Sequence, residues 1–367
     1  MSTTDPVSRR SPRLPIADPA AEAIMRHLIG GAIRTQAIYV AAKLGIADRL
    51  TLGPQRADQL AEQIQVDASM LERLLRFLVT HGVFLETETG RFSLNGTAEF
   101  LQTVHPRSLR PSAIRAGEGL FEVAGGLLEA VKSGTTPHEQ ARGAAFFEDL
   151  AARGKSAEFA VRMSSSTTGL GAAIAEQADF SQAGTIIDVG GGSGSVLIPI
   201  LERHLHLRAV VFDAASAAAA RDAIGRAGLS DRCEVSAGDF FTAELPSGDV
   251  YLLSWILHDW DDARARRILR ACRTAGGDSA TLLIIEALLP QRAVALQGPI
   301  PGLLADPFTL DMQMLLLTGG RERTLPEYRE LLAAERYSIT ATKSLPSVRG
   351  ASLINASTAA TQRGSAP

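Results

Sequence analysis

Four short, nearly unbroken apolar runs constrain this chain most: Thr185-Ile-Ile-Asp-Val, Arg208-Ala-Val-Val-Phe-Asp, Val250-Tyr-Leu-Leu-Ser and Thr281-Leu-Leu-Ile-Ile-Glu. A strand with one wet face alternates apolar and polar side chains. A strand covered on both faces has no such need. Helical stretches separate the runs, so residues 179–357 read as a doubly wound α/β domain. Sheets of this kind keep their ligands beyond the carboxyl ends of the strands, and the chain's notable polar residues gather there.

The first run leads into Ile187-Asp188-Val189-Gly190-Gly191-Gly192-Ser193-Gly194-Ser195, which ends a strand and opens a helix over Val196 to His204. Glycines at Gly190 and Gly192 permit a tight turn and let a ligand approach the backbone. A structural turn alone would use the same glycines. The next strand ends in Asp213, about 20 residues further on, where a carboxylate can accept from ribose hydroxyls. In a dinucleotide-type reading from Gly190, Ser195 stands in place of the third glycine, so a nucleoside joined to an amino acid fits better than a pyrophosphate. After the third strand come Gly238-Asp239-Phe240-Phe241. The acid and ring can hold and cover an adenine, or simply form a turn over core phenylalanines.

The fourth strand delivers Ser254-Trp255-Ile256-Leu257-His258-Asp259-Trp260-Asp261-Asp262. Asp261 and Asp262 are placed to cap the helix that follows; Asp259 fits a structural or a site role. Histidine is the side chain best suited to take a proton near neutral pH, and His258 stands at the strand's carboxyl edge. A phenol, with a pKa of about 10, is a poor nucleophile until it loses that proton. Glu286 closes an apolar run, and Glu322 lies in Gly320-Arg-Glu-Arg-Thr. Either can hold the imidazole as the third group of a catalytic array, although Arg321 and Arg323 also allow a surface reading of Glu322. The spacing of His258, Asp259, Asp261 and Asp262 matches no standard zinc or calcium motif, so no metal is expected.

Ahead of this domain, residues 19–105 read as helices followed by a hairpin (Val83-Phe-Leu-Glu-Thr and Arg91-Phe-Ser-Leu around Gly90), a winged helix. Such a unit binds DNA or serves as a dimerisation or lid module. Its candidate recognition helix mixes Asp67 and Glu72 with Arg73 and Arg76, whereas phosphate contacts need unopposed cations. The whole chain has a formal net charge of −3, so no nucleic-acid partner is expected. Residues 106–178 read as helical, and 1–18 and 358–367 as disordered tails. Two cysteines, Cys233 and Cys272, form no framework. No signal segment or membrane span is visible, which predicts a cytoplasmic protein without membrane partners.

Together and in order, the Asp188-Val-Gly-Gly-Gly-Ser-Gly loop, Asp213, Gly238-Asp-Phe-Phe, Leu257-His-Asp-Trp-Asp-Asp, Glu286 and Gly320-Arg-Glu-Arg-Thr resemble the small-molecule O-methyltransferases. That class includes plant caffeate and hydroxyindole enzymes and bacterial polyketide-tailoring enzymes of secondary metabolism. The resemblance covers roughly Ala20 to Ala356. It implies a Rossmann-like methyltransferase domain behind a winged-helix dimerisation domain, hence a homodimer. S-adenosylmethionine would lie on Asp188, Gly190 and Gly192, with Asp213 at the ribose, Gly238, Asp239 and Phe240 near adenine, and Ser254 and Trp255 lining the cofactor. His258 would be the base for a small aromatic acceptor, oriented by Glu286 and Glu322, and S-adenosylhomocysteine the product. Phe159, Met163, Asp259, Met312 and Met314 match acceptor-pocket positions. The chain departs from many relatives in Ala214-Ala215-Ser216 after Asp213 and in a shorter stretch between Met314 and Gly319. Methylation of nitrogen or carbon, or use of the cofactor without methyl transfer, are the alternatives on this scaffold. A winged-helix regulator is the alternative from another class.

Overall fold

The computed structural model describes residues 18–166, 169–294, 306–345, 348 and 350–358. The tails expected at 1–18 and 358–367 lie outside these residues, apart from Asp18 and Thr358. The described chain forms two compact units that divide between Glu122 and Val123.

In the first unit, Asp18 caps the helix Pro19–Ile29 by accepting from the Ala20 N–H. Helices Gly31–Lys43, Ile46–Arg49, Ala57–Ile64 and Ala68–Thr80 follow. Strands β1 (Gln55–Arg56), β2 (Leu85–Glu88) and β3 (Arg91–Ser93) pair in the order β1-β3-β2. This is the expected helical unit with a small wing. Leu60, Leu71, Leu75, Leu78, Phe84 and Phe92 form its core. Arg76, on the helix that a DNA reader would use, is tied to Glu72 at 3.0 Å and Glu86 at 3.1 Å. Its charge is therefore balanced within the unit. The helix Pro19–Ile29 buries none of its own residues.

The second unit opens with helices, among them Leu127–Ser133, Pro137–Arg142, Phe146–Ala152, Ser156–Ser166 and Leu170–Gln177. The sheet follows: β4 (Thr185–Val189), β5 (Arg208–Asp213), β6 (Cys233–Ala237), β7 (Val250–Ser254), β8 (Thr281–Leu289), β9 (Arg323–Thr324), β10 (Tyr337–Leu345) and β11 (Ala351–Thr358). Their order is β10-β11-β8-β7-β4-β5-β6, with β9 pairing the end of β8. Strands β4 to β8 run parallel, while β11 is antiparallel to both β8 and β10. Ile186 packs into one core cluster and Ile187 and Val189 into another. Both faces are thus covered, as the unbroken apolar runs required. The strand order reverses between β4 and β7, and a crevice opens at such a switch point. The glycine loop leaves β4 there, and the His258 segment leaves β7.

Candidate active site

At the end of β4 the chain turns sharply. Gly190 (φ +72°) and Gly192 (φ +57°) adopt left-handed backbone that side chains rarely tolerate. A Cβ on Gly190 would stand 2.5 Å from Ile256 Cδ1, while one on Gly192 would meet nothing within 4 Å. The first glycine serves close packing and the second leaves an open cradle. Asp213 organises this cradle. Its Oδ2 accepts from the Gly192 N–H at 3.1 Å, and its Oδ1 accepts from Ala215 at 2.8 Å and Ser216 at 2.7 Å. A carboxylate has about four lone-pair sites, so acceptor capacity is left for ribose hydroxyls. Phe240 lies 3.7 Å from the Gly190 Cβ position. Asp239 caps its own turn by accepting from Phe241 at 2.8 Å. Trp255 takes a left-handed φ of +56°, a strained geometry of the kind stored at ligand sites.

Two buried polar atoms at the switch point, Asp188 Oδ2 and Ser254 Oγ, have no partner within the protein. Such atoms call for an outside group. Burial, reinforced by the charge of Asp213, pushes the Asp188 carboxyl up to about 7. For an acid raised in the folded state, the folded chain binds more protons than the unfolded one between about pH 4 and 7. Stability is therefore greatest below that window, falls across it as pH rises, and is level above it. Asp188→Asn is expected to remove this decline in the ligand-free protein. At pH 8 it should be more stable than the parent by on the order of 2–4 kcal/mol. Denaturant titrations at pH 5 and pH 8 check this; parallel behaviour of the two proteins would contradict it.

Beyond β7 the chain makes a tight turn, Leu257–Asp259. The Glu286 side chain on β8 is fully buried, and its Oε1 accepts from the backbone N–H of Leu257 at 2.8 Å and of His258 at 3.3 Å. His258 is 8% exposed. Its Nδ1 stands 2.7 Å from Glu322 Oε1 and 3.7 Å from Glu286 Oε2. A carboxylate can only accept, so Nδ1 carries the hydrogen, and once the ring is neutral Nε2 holds the lone pair. Asp259 Oδ1 is 3.9 Å from that Nε2. Burial alone would lower the His258 pKa, but Glu286, Glu322 and Asp259 outweigh it and push it up to about 10. Burial raises Asp259 to about 6, even though His258 pulls it down. Glu322, for which the flanking arginines suggested a surface reading, is fully buried. Its N–H donates to Asp311 on the helix Pro307–Leu317 at 2.9 Å.

His258, Glu286 and Glu322 offer donor atoms all within 4.8 Å of one another. A zinc ion ligated at roughly 2.0–2.2 Å would hold its ligands about 3 Å or more apart. The 2.7 Å separation of Nδ1 and Oε1 is that of a charge-assisted hydrogen bond instead.

The remaining expected residues distribute unevenly. Phe159 meets Phe146 and Phe147, and Phe147 lies 5.3 Å from Trp260, two residues beyond His258. Trp260 in turn meets Phe240 and Phe241. A line of rings therefore joins the helical segment to the glycine-loop side. Met163 is half-buried on Ser156–Ser166. On Pro307–Leu317, buried Met314 shares a face with Asp311, while Met312 lies roughly 200° round the helix from Met314 and is 39% exposed. Asp261 accepts from the Arg264 N–H at 2.8 Å, the cap its position predicted. Asp262 pairs with Arg323. Trp260, Phe147, Asp311 and Arg323 were not read from the sequence as site residues. Trp260 lies inside the histidine motif and Arg323 inside Gly320-Arg-Glu-Arg-Thr, while Phe147 and Asp311 carry no such signal.

Residues 125–338 match an O-methyltransferase domain and residues 26–103 an O-methyltransferase dimerisation domain. The chain belongs to the O-methyltransferase family. It is an enzyme, and its cofactor is S-adenosylmethionine. Over 335 residues it is 37% identical to the phenazine O-methyltransferase of Lysobacter antibioticus, covering 91% of this chain and 95% of that one. Over 365 residues it is 35% identical to the O-demethylpuromycin-O-methyltransferase of Streptomyces alboniger, covering 96% and 95%. Among solved structures, an O-methyltransferase of neocarzinostatin biosynthesis, in complex with S-adenosylhomocysteine and 1,4-dihydroxy-2-naphthoic acid, superposes with a TM-score of 0.77 at 31% identity, covering 89% and 96%. The open Gly192 cradle and the partnerless Asp188 and Ser254 atoms suit that cofactor. No helix among the described residues is long and apolar enough to cross a membrane.

Proposed function

We propose that the enzyme methylates a phenolic hydroxyl of a small aromatic compound of bacterial secondary metabolism, with His258 Nε2 as general base. The observation that carries this reading is the 2.7 Å contact between His258 Nδ1 and buried Glu322. It fixes the tautomer whose Nε2 can accept a proton. Glu286 holds the turn by its backbone N–H groups. S-adenosylmethionine supplies, when bound, a methyl group on a positively charged sulfonium. Beside a positive charge, His258 gives up its proton more readily than in the empty site. Asp188, Gly190, Gly192, Gly238 and Asp239 would hold the cofactor with Asp213, Phe240, Ser254 and Trp255. Phe159, Met163, Met312, Met314 and Asp259 would line the acceptor site, where edge-on and tilted rings suit a flat partner. With hydroxyl and methyl aligned, the residues chiefly supply position and a base. No metal enters this scheme.

The same reading makes the enzyme a homodimer through residues 19–105. Ile24, Met25, Leu28 and Ile29 are 56–75% exposed on a helix with no buried residue, an apolar face that asks for a partner. Residues 106–178 would contribute to the acceptor pocket and 179–357 would be the catalytic domain. Two buried free cysteines support a cytoplasmic setting.

Calorimetric titration with S-adenosylmethionine, S-adenosylhomocysteine and NADH, followed by a mass-gain screen of phenols, tests the proposal. Binding of the first two alone and a gain of one methyl on an oxygen are expected. Asp213→Ala should weaken cofactor binding at least tenfold; unchanged affinity would remove Asp213 from the ribose role. Methyl gain on nitrogen or carbon only would overturn the acceptor class.

A further inference from the structure

Among the described residues, Arg323 is the one lysine or arginine that is buried, at 1% exposure. Its ion-pair partner does not explain that burial, because the Asp262 side chain is 51% exposed. What the guanidinium spans does. Nη1 donates to the Leu257 carbonyl at 2.9 Å, Nη2 to the Trp260 carbonyl at 2.8 Å, and Nε to Asp262 Oδ1 at 2.9 Å. Leu257 and Trp260 bracket His258. The fork therefore grips the carbonyl groups of the same turn whose N–H groups Glu286 holds from β8. The planar spread of donors matches this task, and a lysine's single point of charge does not.

We propose that Arg323 is a positioning residue for His258. It fixes the turn against the start of helix Asp262–Gly276, and it supplies the buried positive charge that offsets the carboxylates around the imidazole. Those facing groups are Asp259 on the turn, Glu286 on β8 and Glu322 on the segment entering β9. Behind them stand Asp311 on Glu322, and Asp262 and Tyr328 on Arg323. Three carboxylates around one imidazole make its proton hard to remove, and a nearby fixed cation makes it easier. A merely structural arginine would set the loop's stability and leave the proton alone.

This inference rests on His258 as the base, and the test separates the two. Arg323→Met removes the charge. The His258 resonance, followed by NMR of histidine-labelled full-length protein and assigned by its loss in His258→Ala, should then titrate at higher pH. That measurement needs no acceptor, so it stands even if the base reading fails through wild-type turnover of His258→Ala. With the acceptor found by mass gain, the alkaline-rising limb of kcat in Arg323→Met should move the same way. Its kcat at pH 7 should fall tenfold or more and recover in part as pH is raised. Arg323→Lys keeps the charge but cannot reach three acceptors at once, so its limb should stay while kcat falls about tenfold at every pH. S-adenosylmethionine affinity by calorimetry should be retained in both. If either variant fails to bind the cofactor, Asp262→Asn decides. Its site is half exposed; the amide oxygen still accepts from Nε while the counter-charge to Arg323 is gone, so the His258 titration should move to lower pH with cofactor affinity intact. An unmoved His258 titration in Arg323→Met or in Asp262→Asn, or wild-type kcat in Arg323→Lys, overturns the proposal.

Discussion

Replacing His258 with alanine should lower the turnover number by roughly 10² to 10⁴ and leave S-adenosylmethionine affinity unchanged. The magnitude follows from the acceptor. A phenol with a pKa of about 10 is ionised in only about one molecule in a thousand at pH 7. Without a base, that fraction is what remains to attack. Cofactor binding should survive because no proposed cofactor contact passes through the imidazole; the cradle is built by Gly192, Asp213 and the end of β4. The pH dependence carries a second signature. In the empty site the carboxylates hold His258 up to about 10, and an imidazolium cannot accept a proton. The bound sulfonium lowers that value, so wild-type activity should climb with pH only until His258 is neutral and then level off. The alanine variant should climb about tenfold per pH unit, tracking phenol ionisation alone, so the gap between the two narrows in alkali. Steady-state rates from pH 6 to 10, with calorimetry on each protein, provide the check. Wild-type turnover in the variant would sink the base assignment, and parallel pH profiles would sink the proton account.

The parts of this site that were legible from the sequence are those written in local pattern. Unbroken apolar runs announce strands buried on both faces, because a single covered face would impose alternation. The glycine loop is legible because a left-handed turn admits few other residues. Asp261 is legible because a helix start needs a side-chain acceptor. The grip on His258 is of another kind. Its partner Glu322 is 64 residues away, and the two meet only because β9 pairs the end of β8. Apart from the likeness of Gly320-Arg-Glu-Arg-Thr to the family's motif, nothing near Glu322 in the chain reports this; Arg321 and Arg323 suggest a wet surface. Local charge density misleads here because Arg323 finds carbonyl acceptors inside the fold, where its donors are satisfied without water. The methionines illustrate the reverse. Met312 and Met314 are close in sequence, yet two steps along a helix turn them to opposite sides.

Gly320→Ala is expected to have an effect of comparable size to the loss of His258, though it removes no chemical group. A Cβ at this position would stand 2.0 Å from the His258 carbonyl oxygen, 2.3 Å from the Asp259 carbonyl carbon and 2.6 Å from the Trp260 nitrogen. All three are backbone atoms, so no side-chain rotation relieves the clash. The turn carrying His258 must move by about an ångström, away from the segment that carries Glu322. A displacement of that size can cost about 10²-fold in rate when it misaligns reacting groups. Forcing one methyl into packed backbone also costs about 1–3 kcal/mol of stability. Gly319→Ala is the control. Its φ of +75° strains any side chain, but its added Cβ approaches only the Thr136 methyl at 3.0 Å. That variant should lose stability and keep most of its turnover. Thermal unfolding, cofactor calorimetry and kcat on both proteins separate the cases. If Gly320→Ala kept both wild-type turnover and a wild-type His258 titration, the close approach of Gly320 to the His258 turn would not be what holds the base against Glu322.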